Sequence, residues 1–327
     1  MTRNVLVTGG AGYIGSVVVE QLLARGEVPI VLDDLSTGHR AAIAPGVEFI
    51  QGNVGDRRVL NALFAGHSID ALMHFAAFAL VAESVADPAK YRANNVTAGR
   101  VLLETAVAAG VRHVIFSSSC TVYGARGAEP IAEDAPVAPL NPYGETKVEF
   151  EALLDRMGRT HGVASVSLRY FNAAGASARY GEDHEPETHL IPNVLRVAQG
   201  QAPALEVYGT DYPTSDGTAI RDYIHVLDLA DAHIRALDTA PNGAVAVNLG
   251  TGAGHSVLAV VAAARDVTGH AIPTVLGPPR PGDPPSLVAA RGRAERLLGW
   301  RPTHSSLEEI LASAWDWHRA HPRGYRN

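Results

Sequence analysis

The chain has 327 residues, 46% hydrophobic and 19% charged, enough to bury a substantial core in one large or two moderate domains. Its 27 Lys and Arg stand against 34 Asp and Glu, net −7, with no basic run, which argues against a nucleic-acid groove. The single cysteine, Cys120, excludes an intramolecular disulfide framework and fits a reducing compartment.

The opening MTRNVLVTGG runs straight into a strand without the apolar core and cleavage site of a signal peptide. The most apolar short stretch, Ala71–Ala82, contains His74 and is too short to cross a bilayer. The expectation is a cytoplasmic protein with no membrane partner. Short apolar runs predict strands at Val5–Val7, Ile30–Leu32, Ala71–Phe75, Val114–Ser117 and Val166–Leu168, with a further strand ending near Asn53. Helix-like segments lie at Ile14–Ala24, Arg57–Phe64, Asn94–Ala109 and Glu145–Gly158. Such alternation implies right-handed crossovers and an α/β fold, a doubly wound parallel Rossmann sheet.

The texture changes after Asn172. Residues 173–192 read as loop, and 277–285, rich in Pro and Gly, as a second loop. Helix-like stretches follow at Asn193–Gln199, Leu227–Asp238, Val257–Thr268 and Leu307–Arg319. This predicts a dinucleotide-binding domain over 1–173 and a smaller α/β substrate domain over 174–327. Segments near 221–250 are candidates to return to the first domain, Val245–Gly250 as a strand.

The strand Val5–Thr8 runs into Gly9-Gly10-Ala11-Gly12-Tyr13-Ile14-Gly15 and then a helix pattern. Strand, tight turn and helix start give the glycines a function. They let the backbone approach a pyrophosphate, and the helix N-terminus offers that anion free N–H groups. Eighteen residues after Gly15, Asp33 ends the second strand, where a carboxylate binds adenosine ribose hydroxyls and repels a 2′-phosphate. The expected cofactor is therefore NAD. Asn53, beside Val54, falls near the adenine position, although an ordinary turn Asn explains it equally well.

Tyr143 and Lys147 stand four apart at a helix start, on one face. A phenol titrates near 10, so a base at neutral pH needs cations nearby. The strand tip Ser117-Ser118-Ser119-Cys120-Thr121 sits where carboxyl ends of parallel strands line a ligand crevice. A hydroxyl there can relay a proton or hold a sugar oxygen. Cys120 has no evident His partner and reads as a small buried thiol. No His or Cys cluster has zinc-ligand spacing, and His184 and His189 read as solvated or substrate-contacting, so no metal is expected.

Together these residues resemble the extended short-chain dehydrogenase/reductase superfamily, and within it the UDP-glucose 4-epimerases. The resemblance rests on Val5–Gly15, Phe116–Gly124, Asn141–Lys147, Leu168–Asn172, Asp211–Val226, Arg280–Asp283 and the ending Trp315–Tyr325. Asp216–His225 is its most specific part. The resemblance implies inversion at C4 of a UDP-hexose through a 4-keto sugar, with NAD reduced and reoxidised within one turnover. Tyr143 would take the 4-hydroxyl proton, Ser119 and Thr121 would hold the reacting oxygen, and Lys147 would bind the nicotinamide ribose and depress the Tyr143 pKa.

The implied cofactor set is Gly9, Gly12, Tyr13, Ile14, Gly15, Asp33, Asn53, Val54, Phe75, Ala76, Asn94, Ser117, Tyr143, Lys147 and Tyr170. The implied substrate set is Ser119, Tyr143, Asn172, His189, Leu190, Tyr208, Arg221, Arg280, Asp283 and Leu287. Arg221 and Arg280 would neutralise the diphosphate, Asp283 would bind the uridine ribose, and Leu190 and Tyr208 would flank uracil. Four positions depart from the pattern. Asn53 stands for a frequent Asp, Ala79 for a Lys near the cofactor pyrophosphate, and Glu187–Leu190 for an Asn-Asn pair. Leu287 replaces a bulky Tyr, which implies tolerance of a 2-acetamido sugar.

A homodimer through the helices at Asn94–Ala109 and Glu145–Gly158 is also implied. Competing readings are a 4-epimerase of a UDP-pentose or UDP-uronate, and a non-catalytic NAD-binding sensor. A 4,6-dehydratase is set aside, because Val122-Tyr123 follows Thr121 where that family carries an Asp-Glu pair.

Overall fold

Apolar runs without alternation make strands that must be covered on both faces, and that is how this chain uses them. The computed structural model describes residues 2–124, 127, 129–280 and 283–326. The first half runs β1 (Asn4–Thr8), α1 (Tyr13–Ala24), β2 (Val28–Asp33), β3 (Glu48–Gln51), α2 (Arg57–Gly66) and β4 (Ala71–His74). It continues with α3 (Val81–Ala86), α4 (Pro88–Tyr91), a π-helical turn (Arg92–Ala98), α5 (Gly99–Ala108), β5 (His113–Ser119), α6 (Pro142–His161) and β6 (Ala164–Tyr170).

The second half runs β7 (Asn172–Ala174), α7 (Leu190–Ala198), β8 (Leu205–Tyr208), β9 (Ile220–Arg221), β10 (Tyr223–His225), α8 (Val226–Leu237) and β11 (Ala244–Leu249). Then follow β12 (His255–Ser256), α9 (Val257–Thr268), β13 (Thr274–Gly277), β14 (Ser286–Leu287), α10 (Gly292–Leu298) and α11 (Leu307–Ala320).

Seven strands form one parallel sheet in the order β11-β6-β5-β4-β1-β2-β3. The fold is α/β and Rossmann-like, as the sequence implied. Val245–Gly250 marks β11, which pairs with β6 from Ala244 opposite Ser165 to Leu249 opposite Tyr170. The order reverses between β1 and β4, and this opens the crevice outside the strand carboxyl ends where such sheets bind ligands. One face is sealed by Val17, Val18 and Leu22 of α1 with Leu229 and Ala230 of α8. The other is sealed by Leu60, Leu102, Phe150 and Leu154. Each Val, Leu or Phe among these contributes about 1.5–3 kcal/mol by leaving water. A third apolar cluster lies under α7, α9 and α11, with Val194, Val261 and Ile310 at its centre.

Several boundaries differ from expectation for local reasons. Helix α6 starts at Pro142 rather than Glu145, because the Asn141 side chain accepts from Gly144 N at 2.9 Å and Pro142 fits the first helical position. It ends at Gly162, whose φ of 67° caps it left-handed. The predicted helix Asn94–Ala109 is a π-helical turn followed by α5. The loop expected over 173–192 holds most of β7 and the start of α7. The 277–285 loop joins β13 to β14, and its Pro281 and Gly282 lie outside the described residues. Two-residue strands such as β9 and β14 are too short for any periodicity to announce.

Candidate active site

The turn after β1 is built from backbone alone. Gly9 has φ of 74°, and a Cβ there would lie 2.6 Å from the Ala76 amide nitrogen, so the turn nests against the loop after β4. A Cβ on Gly15 would collide with the Gly9 carbonyl oxygen, so only glycine lets α1 begin this close to the strand. Gly12 caps α1 without a side-chain acceptor, and no acidic residue occupies its first turn. The helix therefore presents uncapped amides at its positive end, next to a concavity that side chains would fill. These features fit a dinucleotide pyrophosphate.

Asp33 closes β2 beside this turn. Its Oδ2 accepts from Ala11 N at 3.0 Å and its Oδ1 from Leu35 N at 2.9 Å. Burial raises its pKa from the ordinary carboxylate value, against the lowering effect of those amides. Asn53 sits across from β2, donating to Asp34 Oδ2 at 2.8 Å and accepting from Gly55 N at 2.8 Å. Val54 is buried in the core. Sequence reasoning missed Asp34, which orients Asn53.

The loop after β4 is tied down at both ends. Phe75 N and Ala76 N both donate to the Thr8 carbonyl, at 2.9 and 3.1 Å. Asn95, next to the cofactor candidate Asn94, is buried and ties this loop. It bonds both the Phe78 backbone N–H and C=O and reaches Thr146 Oγ1 at 3.1 Å. Asn94 is half-buried and donates to Asn95. Tyr13 turns its hydroxyl away to the Gly175 carbonyl at 2.6 Å, and Ile14 packs on the core. Tyr170 OH and His233 Nε2 lie 2.5 Å apart, with the Phe75 ring against His233.

At the carboxyl end of β5 the catalytic candidates converge. Ser119 stands beside Tyr143 and lowers its pKa, and Thr121 donates through its hydroxyl to Ser119 Oγ at 3.0 Å. Lys147 is 3% exposed and donates from Nζ to the Ser117 carbonyl at 2.7 Å. Its Nζ lies 5.5 Å from the Tyr143 ring centre. The electrostatics differ from expectation. Burial pushes Tyr143 up to about 12, opposed by Ser119, and burial pulls Lys147 down to about 7, opposed by Glu151. In so dry a site, desolvation penalises both charges, so the polypeptide alone leaves the phenol protonated at neutral pH. A second cation is needed to make Tyr143 a base. Cys120 is buried and pushed up to about 12 by burial, an inert thiol.

A buried polar chain beneath the strand tip was not legible in the sequence. Ser118 Oγ donates to Glu151 Oε1 at 2.6 Å, and Arg169 grips both Glu151 oxygens. Arg169 also donates to the Tyr123 hydroxyl, which donates to Asn248 Oδ1, each at 2.7 Å. The chain staples α6 to β5, β6 and β11.

Of the substrate-side candidates, Asn172, Tyr208, Arg221 and Leu287 fall on short strands, and Arg280 and Asp283 between β13 and β14. β9 pairs with β14, which places Leu287 opposite Arg221. The Arg221 guanidinium pairs with Asp283, sixty-two positions away. Arg280 lies 4.2 Å over the Tyr208 ring. Asn172 joins this group through β7, donating its N–H to the Asp222 carbonyl at 2.9 Å. Asp222, another residue the sequence did not single out, is fully buried. Its carboxylate accepts from Thr251, Gly252 and Ala289 and locks the Arg221 segment. Leu287 packs against Cys120, Tyr123 and Phe171. Leu190 opens α7. His189, expected at the substrate, directs Nδ1 to Glu182 at 2.6 Å and Glu187 at 3.3 Å. Among the described residues no helix is long and apolar enough to cross a membrane.

The NAD dependent epimerase/dehydratase family matches residues 5–250. The chain is 47% identical to the UDP-glucose 4-epimerase of Lacticaseibacillus casei, over 98% of each chain. It is 44% identical, with a TM-score of 0.92, to the UDP-glucose 4-epimerase from Brucella ovis solved in complex with NAD, covering 96% of this chain and 98% of that one. The Bifidobacterium longum UDP-glucose 4-epimerase, solved with NAD+ and UDP, is 38% identical with a TM-score of 0.93, over 98% and 99%.

Proposed function

The chain belongs to the NAD dependent epimerase/dehydratase family, and from that membership we propose that it inverts C4 of a UDP-hexose, interconverting UDP-glucose and UDP-galactose with tightly held NAD. The observation that carries the reading is the Ser119–Tyr143–Lys147 cluster, set at the switch point beside the glycine turn. Bound NAD would supply the acceptor for the C4 hydride, return it to the opposite face of the 4-keto sugar, and add the positive charge that makes Tyr143 a base.

The chain's own residues do the rest. Tyr143 takes the 4-hydroxyl proton and gives it back, with Ser119 and Thr121 holding that oxygen. Lys147, anchored on the Ser117 carbonyl, reaches the ribose and faces the phenol. Asp33 takes the adenosine ribose, and the amides of α1 take the pyrophosphate. Arg221, Arg280, Asp283 and Tyr208 hold the nucleotide end of the substrate while the sugar turns over, and Asn172 contacts the diphosphate or sugar. The test is incubation of purified protein with UDP-galactose and no added NAD. UDP-glucose is expected, together with released NAD on denaturation. No product sinks the proposal.

Leu287, facing Arg221, supports a sugar pocket wide enough for a 2-acetamido group. Turnover of UDP-N-acetylglucosamine is expected, and its absence would refute this breadth. We also infer a homodimer in the cytoplasm. The interface would be the helices over Asn94–Ala109 and Glu145–Gly158, which pack on each other. Light scattering giving a monomer mass would refute the dimer. The division into 1–173 and 174–327, with β11 belonging to the first unit, remains part of the same proposal.

A further inference from the structure

The segment Glu182-Asp183-His184-Glu185-Pro186-Glu187-Thr188-His189 lies away from the Tyr143 cluster and folds four metal-type donors onto one point. One donor atom from each of Glu182, His184, Glu187 and His189 lies within 4.8 Å of the others. Glu182 Oε1 is 3.1 Å from His184 Nδ1 and 2.6 Å from His189 Nδ1. The Glu187 oxygens lie 3.9 Å and 3.3 Å from the same two nitrogens. Donors held about 2.0–2.1 Å from a tetrahedral Zn2+ stand roughly 3.3 Å apart, which these separations bracket.

We propose that Glu182, His184, Glu187 and His189 form a structural site for a divalent transition-metal ion, with Zn2+ the occupant that this donor set favours.

Three features favour an ion over plain ion pairs. Both carboxylates are buried, with side chains 5% and 4% exposed, and they face the same two imidazoles. The two imidazole rings that face them lie with their centres 5.4 Å apart. One dication bound by two neutral imidazoles balances both buried carboxylate charges at a single point. Both rings also turn Nδ1 inward, so each offers a lone pair to the centre once deprotonated. The third feature is access, since Glu182, His184 and Glu187 line a cavity of about 430 Å³.

The ion would act on the joint between the two halves. The His184 ring stands edge-on to Tyr13 of α1, 6.4 Å between centres. Asp183 accepts from Tyr325 N at 2.8 Å, and Leu190, the residue after the last donor, opens α7. Binding would release protons and fix the segment that leads into α7.

The test uses tag-free full-length protein, stripped with a chelator and then titrated with Zn2+ alone or Co2+ alone. Expected are one equivalent of Zn2+ per chain, a rise in Tm, and visible Co2+ absorption of tetrahedral intensity. His184→Gln should weaken binding at least about tenfold and lose the Co2+ spectrum. Glu182→Gln should do the same, and if it fails to fold, the partly exposed His184 carries the test alone. No stoichiometric Zn2+ uptake by the wild-type chain overturns the proposal. So does uptake that His184→Gln leaves unchanged, since the ion then sits elsewhere.

Discussion

The Lys147 ammonium nitrogen lies 5.5 Å from the centre of the Tyr143 ring while donating to the Ser117 carbonyl at 2.7 Å. The lysine is thus aimed by backbone and stands beside the phenol without a direct bond. Tyr143→Phe should lower kcat by roughly 10²–10⁴-fold with bound NAD retained. In Lys147→Met the phenol loses a cation, and burial already holds it near 12. The phenolate is the active form, so residual activity of this variant should climb with pH from 7 toward 10. A flat profile would show that Lys147 acts only in binding.

Asp33 accepts two backbone N–H groups with its two oxygens, and Asn offers only one acceptor. Asp33→Asn should weaken NAD binding by roughly 10- to 100-fold, the loss of a bond to a charged group. It should also gain NADP+ binding, because the repelling charge is gone. Calorimetry on stripped protein with each dinucleotide checks both.

The Arg221–Asp283 pair is half-buried, so removing one partner leaves the other poorly solvated. Arg221→Met should raise KM for UDP-galactose by roughly 10- to 100-fold, the weight of a charge-assisted bond. NAD content should not change. An altered NAD content with normal KM would place Arg221 in the wrong pocket.

His233 is buried between Tyr170 OH and the Leu229 carbonyl, under the Phe75 ring, and burial pulls it down to about 4, opposed by the Leu229 bond. Between pH 6.5 and about 4 the unfolded chain binds a proton that the native histidine refuses. Stability therefore rises with pH across that window and falls as pH drops, by about 1.4 kcal/mol per unit for this group. His74, pulled to about 3 by burial and by Lys147, adds to the same trend. Urea midpoints at pH 7 and pH 5 should differ less in His233→Gln than in the wild-type chain. Equal differences would refute the assignment.

Much of the site was legible because its signals are local. Gly9–Gly15 and Asp33 sit at strand ends, where the chain must turn and where such sheets place ligands. Tyr143 and Lys147 share a helical face by spacing alone. The start of α6 was misplaced by three residues, since the Asn141 cap and Pro142 carry no apolar periodicity. The role of Asn95 was not legible, because which of two adjacent side chains turns inward is settled by the Phe78 backbone it meets. The buried chain through Ser118, Glu151, Arg169, Tyr123 and Asn248 joins a helix face to three strands, and nothing in the linear order pairs them.

Sequence alone determined the alternation of strand and helix, the glycine turn and the Tyr-Lys face, because each depends on residues within a turn or two. Tertiary structure alone decided the rest. Arg221 meets Asp283 and Leu287 only because short strands pair at long range. His189 meets Glu182 only because the segment between them folds back on itself. The pKa of Tyr143 moved opposite to the sequence expectation and that of Lys147 fell, since desolvation is set by how deeply the packed chain buries a group, a quantity no local pattern encodes.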